Sequence, residues 1–263
     1  MSRAPRSLSS TKNPTVQRFR DAAGGAVDGM LLAEGVKLVA EALAAGMHAV
    51  EAVVSPQLDD AGLRARLQQE ADSFAECTDA VLARLSALDT PQGVAVLFAR
   101  PQATPEDLLH KELVPLIVVA AGIRDPGNLG ALVRTAEAAG ATGCLTLRGG
   151  ADPFRDKAVR GSMGSIFRLP VHHGMDAATA IAFVRRHKLQ LVVADGRGDV
   201  RYTDVDLRRP VALVVGAEAA GVPAEWLAAA DQHVRIPLTP PVESLNVAVA
   251  AGVVLFEARR QRS

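Results

Sequence analysis

The chain has 263 residues, 49% of them hydrophobic, 29 basic and 29 acidic side chains, and two cysteines. That length fits one large domain or two ordinary ones, with enough apolar side chains for a sizeable core. The longest apolar run, Val247 to Phe256, is broken by Gly252 and is too short to cross a bilayer. A basic start with no apolar stretch after it does not read as a secretory signal. Cys77 and Cys144 read as reduced core residues rather than a disulfide framework.

Charge is uneven although the net is zero. The first twenty residues carry Arg3, Arg6, Lys12, Arg18 and Arg20 without an acid. Along the chain, "GMLLAEG", "AVEAVVS" and "GVAVLFA" read as short strands, alternating with helical patterns at Val36 to Ala45 and Asp60 to Gln69. "FARPQATPEDLLHKEL", Phe98 to Leu113, breaks the periodicity with two prolines and reads as a linker. The alternation then restarts. "PLIVVAAG", "GCLTLRG", "QLVVADG" and "VALVVGA" are apolar runs bounded by Gly, Pro or Asp, with helical patterns at Leu129 to Ala139, Asp176 to His187 and Pro223 to Ala230. Runs apolar on both faces, separated by helices, predict a parallel sheet. The expected domains are 1–98, a linker at 99–112, and 113–263.

In such a sheet, ligands gather at the carboxyl ends of the strands. Three loops qualify. "GIRDPGNLGALVRTAEAAG", Gly122 to Gly140, predicts a turn at Asp125-Pro126-Gly127 and a helix capped by Asn128. Leu129, Leu132, Val133 and Ala136 form its inward stripe, and Arg134 falls off it. An ion pair of Arg134 with Glu137 is the plain structural role. "VVGAEAAGVP", Val214 to Pro223, places Glu218 between Gly216 and Gly221. "IPLTPPVESLNVAVAAGVVLFEARR", Ile236 to Arg260, stiffens a loop with prolines and sets Ser244 and Asn246 before an apolar helix, where Ser244 also suits a plain cap.

Absent signatures narrow the chemistry. No G-x-G-x-x-G follows a strand and no G-x-x-x-x-G-K-[ST] occurs, against a Rossmann oxidoreductase and a P-loop nucleotidase. No G-x-S-x-G appears, against an α/β-hydrolase. His172 and His173 are adjacent on a strand and so point to opposite faces; no metal site is expected.

The three loops, in this order, resemble the three motifs of the SpoU (TrmH) family of RNA ribose 2′-O-methyltransferases over Leu113 to Arg260. "KAVRGSMGSIFRLPV", Lys157 to Val171, resembles the family between its first two motifs. "STKNPTVQRFRDAAG" and "LLAEGVKLVAEAL" resemble the ribosomal-protein-like RNA-binding domain that precedes the catalytic domain in many members. The resemblance implies a small N-terminal α/β RNA-binding domain followed by a parallel-sheet α/β methyltransferase domain with a C-terminal trefoil knot. It implies S-adenosylmethionine held mainly by backbone at Gly216, Ile236 and Leu245. Arg134 matches the arginine usually assigned to activating the ribose hydroxyl; a guanidinium stays protonated, so electrostatic activation is favoured over proton abstraction. Asn128, Glu218, Ser244 and Asn246 match the remaining polar positions, and Glu218 has a bridge to Arg134 as its structural alternative. Thr239-Pro240-Pro241 stands where many members carry a glycine.

The leading expectation is a cytoplasmic, homodimeric methyltransferase acting on large-subunit ribosomal RNA. RNA contacts are expected from Arg6, Lys12, Arg18 and Arg20, and from Arg155, Lys157 and Arg160. A transfer-RNA methyltransferase and a non-catalytic ribosome-assembly factor are the alternatives.

Overall fold

The computed structural model describes residues 5–110, 112–217 and 220–263. The chain forms two compact units. One comprises residues up to Pro101 together with Phe154–Phe167, and the other Gln102–Pro153 with Arg168–Ser263. The segment 154–167, placed by the sequence reading inside 113–263, thus belongs with the first unit.

The first unit alternates β1 (Arg6–Leu8), α1 (Pro14–Ala23), β2 (Met30–Glu34), α2 (Val36–Ala44), β3 (Ala49–Val54), α3 (Ala61–Glu70), β4 (Ser73–Cys77), α4 (Asp79–Leu85) and β5 (Val94–Ala99). Its strands lie in the order β1-β4-β3-β5-β2. β1, β4 and β3 are parallel, and β5 runs antiparallel to both β3 and β2. Alternate strand residues face opposite layers. Leu32, Val53, Ala75 and Leu97 pack against Val16 and Phe19 of α1 and Leu82 and Leu85 of α4. Asn13, Asp60 and Thr78 cap α1, α3 and α4 through their side-chain oxygens, as such residues do at helix starts. α6 (Asp156–Ser162) packs on β2 of this unit.

The second unit contains β6 (Leu116–Ala121), α5 (Pro126–Ala139), β7 (Gly143–Leu147), β8 (Val171–Met175), α7 (Ala177–Arg186), β9 (Gln190–Ala194), β10 (Val200–Arg201), β11 (Val211–Gly216), α8 (Ala224–Ala229), β12 (Gln232–Arg235) and α9 (Val247–Arg262). The strand order is β10-β12-β9-β11-β6-β7-β8, with every pairing parallel. β6 and β7 are buried along their whole length, as the doubly apolar runs require. Ile117, Val119 and Ala121 pack with Phe183 and Val184 of α7 and Trp226 of α8. α9 packs on α5 and against β11. The stretch read as a linker carries a short helical turn, Glu106–Leu109. Its Leu108 is fully buried, and the Leu108 carbonyl accepts from Thr142 Oγ1 at 2.7 Å. Cys77 and Cys144 are buried free thiols, and desolvation pushes the latter up to about 12. Among the described residues no helix is long and apolar enough to cross a membrane.

Candidate functional site

Three loops meet at the carboxyl ends of β6, β11 and β12. After β6 the chain turns through Gly122 at φ 81°. Asp125, not Asn128, caps α5: its Oδ1 accepts from the Asn128 backbone N–H at 2.8 Å. Pro126 fits the first helical turn because its missing N–H has no intrahelical partner there. The helix therefore begins three residues earlier than expected, and Asn128 sits inside its first turn. Gly140, left-handed at φ 83°, ends it.

After β11, Gly216 enters a tight turn closed by Ala217 N–H to Gly221 O (3.1 Å) and Gly221 N–H to Ala217 O (2.8 Å). A Cβ at Gly216 would lie 2.2 Å from the Gly221 carbonyl oxygen, so only glycine fits. Glu218 lies outside the described residues. After β12, the loop from Ile236 carries a cis Pro240–Pro241 bond and leaves Ser244 exposed. Asn246, rather than Ser244, caps α9. Its Oδ1 accepts from Ala248 N–H (3.0 Å) and Val249 N–H (3.4 Å). That fixes the other end of the amide, since only one of its two heteroatoms accepts. Nδ2 donates to Asn128 Oδ1 at 3.0 Å across 118 residues of chain. The first and third motifs are thereby joined side chain to side chain.

Two adjoining hollows result. A narrow cavity of about 160 Å³ is lined by Gly216, Ile236, Ser244 and Leu245, with Leu238, Asp195, Gly196 and Glu243. All three residues expected to hold the methyl donor reach it. Beside it, sharing Ala217, Gly221 and Val247, opens a wider cleft of about 740 Å³ lined by Asn128, Asp125, Arg124 and Arg148. Asp195 and Gly196, directly after β9, were missed by sequence reasoning. Their signal was the "ADG" that ends the "QLVV" run, at the end of the strand where ligands gather. Arg124 was passed over in a loop of glycine and aspartate, and Arg148 was read only as one member of a basic cluster with Arg155, Lys157, Arg160 and Arg168.

Arg134 lines neither hollow. It is exposed on α5, six residues beyond Asn128, which at 1.5 Å per residue is about 9 Å along the axis. Among the described residues its side chain makes no hydrogen bond or ion pair. Glu137, its expected structural partner, is held instead by Arg168 at 2.6 Å.

The basic residues of the first unit divide. Arg6 and Arg18 both bind the buried carboxylate of Glu51, at 2.5 Å and 2.9 Å. Arg160 pairs with Asp156, and the Lys157 side chain lies exposed at the start of α6. Lys12 and Arg20 are exposed. Arg155 lies against Gly25, where an added Cβ would be 3.1 Å from its Nε. His172 and His173 each have a partner, the Ala103 carbonyl (2.8 Å) and Thr146 Oγ1 (2.7 Å). No cluster of His, Cys, Asp or Glu among the described residues is arranged to hold a metal.

Residues 115–256 match the model of the SpoU rRNA methylase family, and residues 17–96 that of the MRM3-like substrate binding domain. The chain belongs to the SpoU rRNA methylase family. An uncharacterised tRNA/rRNA methyltransferase of Synechocystis is 32% identical over 97% of this chain and 94% of its own length. The 23S rRNA (guanosine-2′-O-)-methyltransferase RlmB of a Burkholderia species is 35% identical over 84% of this chain and 94% of its own. The crystal structure of an AdoMet-bound rRNA methyltransferase from Sinorhizobium meliloti superposes with a TM-score of 0.86 at 33% identity, covering 97% of each chain.

Proposed function

We propose that this protein transfers the methyl group of S-adenosylmethionine to a ribose 2′-hydroxyl of large-subunit ribosomal RNA, in the cytoplasm, as a homodimer. The observation that carries the reading is the pairing of hollows: a narrow cavity lined by the second and third motif loops and the loop after β9 opens beside a cleft, lined by the first motif, that is wide enough for a nucleotide. The narrow cavity suits the donor. Its walls are apolar at Ile236, Leu238 and Leu245, its floor is bare backbone at Gly216, and Asp195 and Glu243 line it as acidic acceptors for hydroxyls or an ammonium. We take the 236–246 loop and α9 as the knotted segment that the family implies. When bound, the donor supplies an electrophilic methyl; everything else is positioning. Asn246 holds Asn128, which lines the wider cleft, through their amide bond, Ser244 adds a hydroxyl to the narrow cavity, and Glu218 is given a polar role from its motif position alone.

The acceptor hydroxyl needs a cation beside its developing negative charge. Arg134 has that chemistry but lies away from both hollows of its own chain. α9, which packs on α5, exposes Val249 (53%) and Phe256 (48%), one helical face of large apolar side chains. A two-fold contact over this face would bring each Arg134 toward the partner's cleft. A mixing experiment tests this. Arg134→Ala and Asn246→Asp, each inactive alone, are mixed and exchanged, and methyl transfer from labelled donor to ribosomal RNA is measured. Random exchange restores one complete site in each mixed dimer, about a quarter of wild-type activity. No restoration, or a monomer on sedimentation with full activity, refutes the shared site. Arg134→Lys is expected to stay inactive, since a point charge does not replace the planar fork.

A further inference from the structure

Among the described residues, ten of the fourteen arginines of the second unit are engaged. Arg168 holds Glu137, Arg185 holds Asp231, Arg186 holds Glu106, and Arg208 and Arg209 hold Asp206. Arg260 holds Glu257, Arg197 stands 4.0 Å from Asp195, and Arg235, Arg259 and Arg262 donate to backbone carbonyls. Among the described residues, the side chains of Arg124, Arg134, Arg148 and Arg201 make no hydrogen bond or ion pair. Arg201 lies on the edge strand β10. Arg124 and Arg148 line the same cleft.

Their backbones are tied together. Arg124 follows β6 and Arg148 follows β7, neighbouring parallel strands. The Ala151 N–H donates to the Ile123 carbonyl at 2.8 Å, clamping one loop to the other. The Arg148 N–H donates to Met175 O at 2.9 Å, and Gly150 N–H to Leu147 O at 3.2 Å. Two nearby acids have bonds of their own. Asp125 caps α5 through the Asn128 N–H. Asp176, which senses the Arg148 charge, caps α7 through Thr179 and is held below the usual carboxylate range chiefly by that bond. Gly122 and Gly149 border the cleft with open space where a side chain would stand. Two exposed guanidiniums on mutually fixed loops, beside bare glycine backbone, make a receptor for a pair of anions spaced along a chain.

We propose that Arg124 and Arg148 are positioning residues that grip two backbone phosphates of the RNA strand, one on each side of the acceptor ribose. This rests on the function proposed above. The donor carboxylate is the other anion within reach. Neither arginine lines the narrow cavity, however, whose charged lining residues are the acids Asp195 and Glu243. The clamp holds the strand in register without touching the reacting hydroxyl or methyl, so its removal registers in RNA affinity and KM.

The test uses the full-length protein with Arg124→Gln, Arg148→Gln, the double variant, and Arg201→Gln as an exposed comparator outside the cleft. Circular dichroism confirms the fold. Filter binding of in vitro transcribed 23S ribosomal RNA, without donor, is measured across salt concentrations. Each cleft substitution is expected to weaken RNA binding about three- to tenfold, as removal of a charge-assisted hydrogen bond does. Each should flatten the salt slope by about 0.7, the value for one neutralised phosphate on single strands. KM for RNA should rise with kcat held within about threefold. S-adenosylmethionine affinity by calorimetry should stay within about twofold, and Arg201→Gln should match wild type. Unchanged RNA affinity and slope overturn the clamp. So does an equal weakening in Arg201→Gln, which would mean diffuse surface charge. Weakened donor binding overturns it too, because the pair would then hold the donor carboxylate. If wild type binds RNA but transfers no methyl group, the proposed function falls, and the binding measurements alone decide the clamp.

Discussion

Replacing Asn246 in two ways separates its two jobs. Asn246→Ala removes the cap of α9, worth about 1 kcal/mol. It also removes the bond to Asn128, worth about 0.5 kcal/mol at a solvent-accessible site. The expected destabilisation is about 1.5 kcal/mol, or about 3–6 °C in melting temperature for a domain of this size. Asn246→Asp keeps an acceptor for Ala248 and Val249 and places a negative charge at a helix N-terminus, a gain of about 0.5 kcal/mol. It turns an acceptor toward Asn128 Oδ1 where a donor stood, so the bond is broken and the two oxygens repel. The stability changes nearly cancel, while Asn128 of the wider cleft loses the bond that holds it. Urea unfolding, thermal melting and methyl transfer to ribosomal RNA are the assays. Asn246→Asp should melt within about 1 °C of wild type and yet lose activity at least tenfold. An Asp variant as unstable as the Ala variant refutes the capping role. One that is stable and fully active refutes the claim that this amide pair shapes the site.

Gly216→Ala should abolish S-adenosylmethionine binding in calorimetry and cost about 1–3 kcal/mol in urea unfolding, because the added methyl meets backbone, not a flexible side chain; wild-type affinity in that variant refutes the assignment of the cavity. Glu257, held at about 2 by its bonds to Arg260 and Gln261, contributes stability fully present above about pH 4.5 and lost as pH falls from there toward 2. The urea-midpoint difference between wild type and Glu257→Gln should therefore hold from pH 6 to about pH 5 and shrink from there to pH 3, and a constant difference down to pH 3 refutes the linkage. Lys12→Gln with Arg20→Gln should flatten the salt dependence of RNA binding without changing stability, by about 0.7 for each phosphate no longer neutralised. Arg6→Gln with Arg18→Gln should instead cost about 2–3 kcal/mol, because Glu51 is left buried and uncompensated; the reverse pattern refutes the division of the basic stripe.

Strands β6, β7, β9 and β11 were legible because both faces are buried, leaving uninterrupted apolar runs. β12, Gln-His-Val-Arg, was not: only Val234 is buried, and its place between β9 and β10 comes from backbone pairing. The loops bearing the site were legible from their residue types and order. What each polar residue does was less so. Asp125 and Asn128 are both good caps, and only the turn geometry decides that Asp125 caps while Asn128 reaches Asn246. The pairing of Arg6 and Arg18 with Glu51 spans 45 and 33 residues, and no local pattern encodes it. Arg124 and Arg148 stand out only when the partnered arginines are set aside and these two are found lining one cleft.

Because Phe154–Phe167 belongs with the first unit, the peptide chain passes between the units at three places, near residues 101, 153 and 167. Cutting at one bond therefore cannot separate them. A fragment beginning at Gln102 would keep α6 without β2, leaving Ala158, Val159 and Ser162, buried in the intact protein, without their cover. Any graft of this N-terminal unit onto a relative's catalytic unit would have to transplant two discontinuous stretches together. The same lacing makes the N-terminal unit hard to shed by proteolysis, since a nick near Pro101 leaves the pieces still joined at two further crossings.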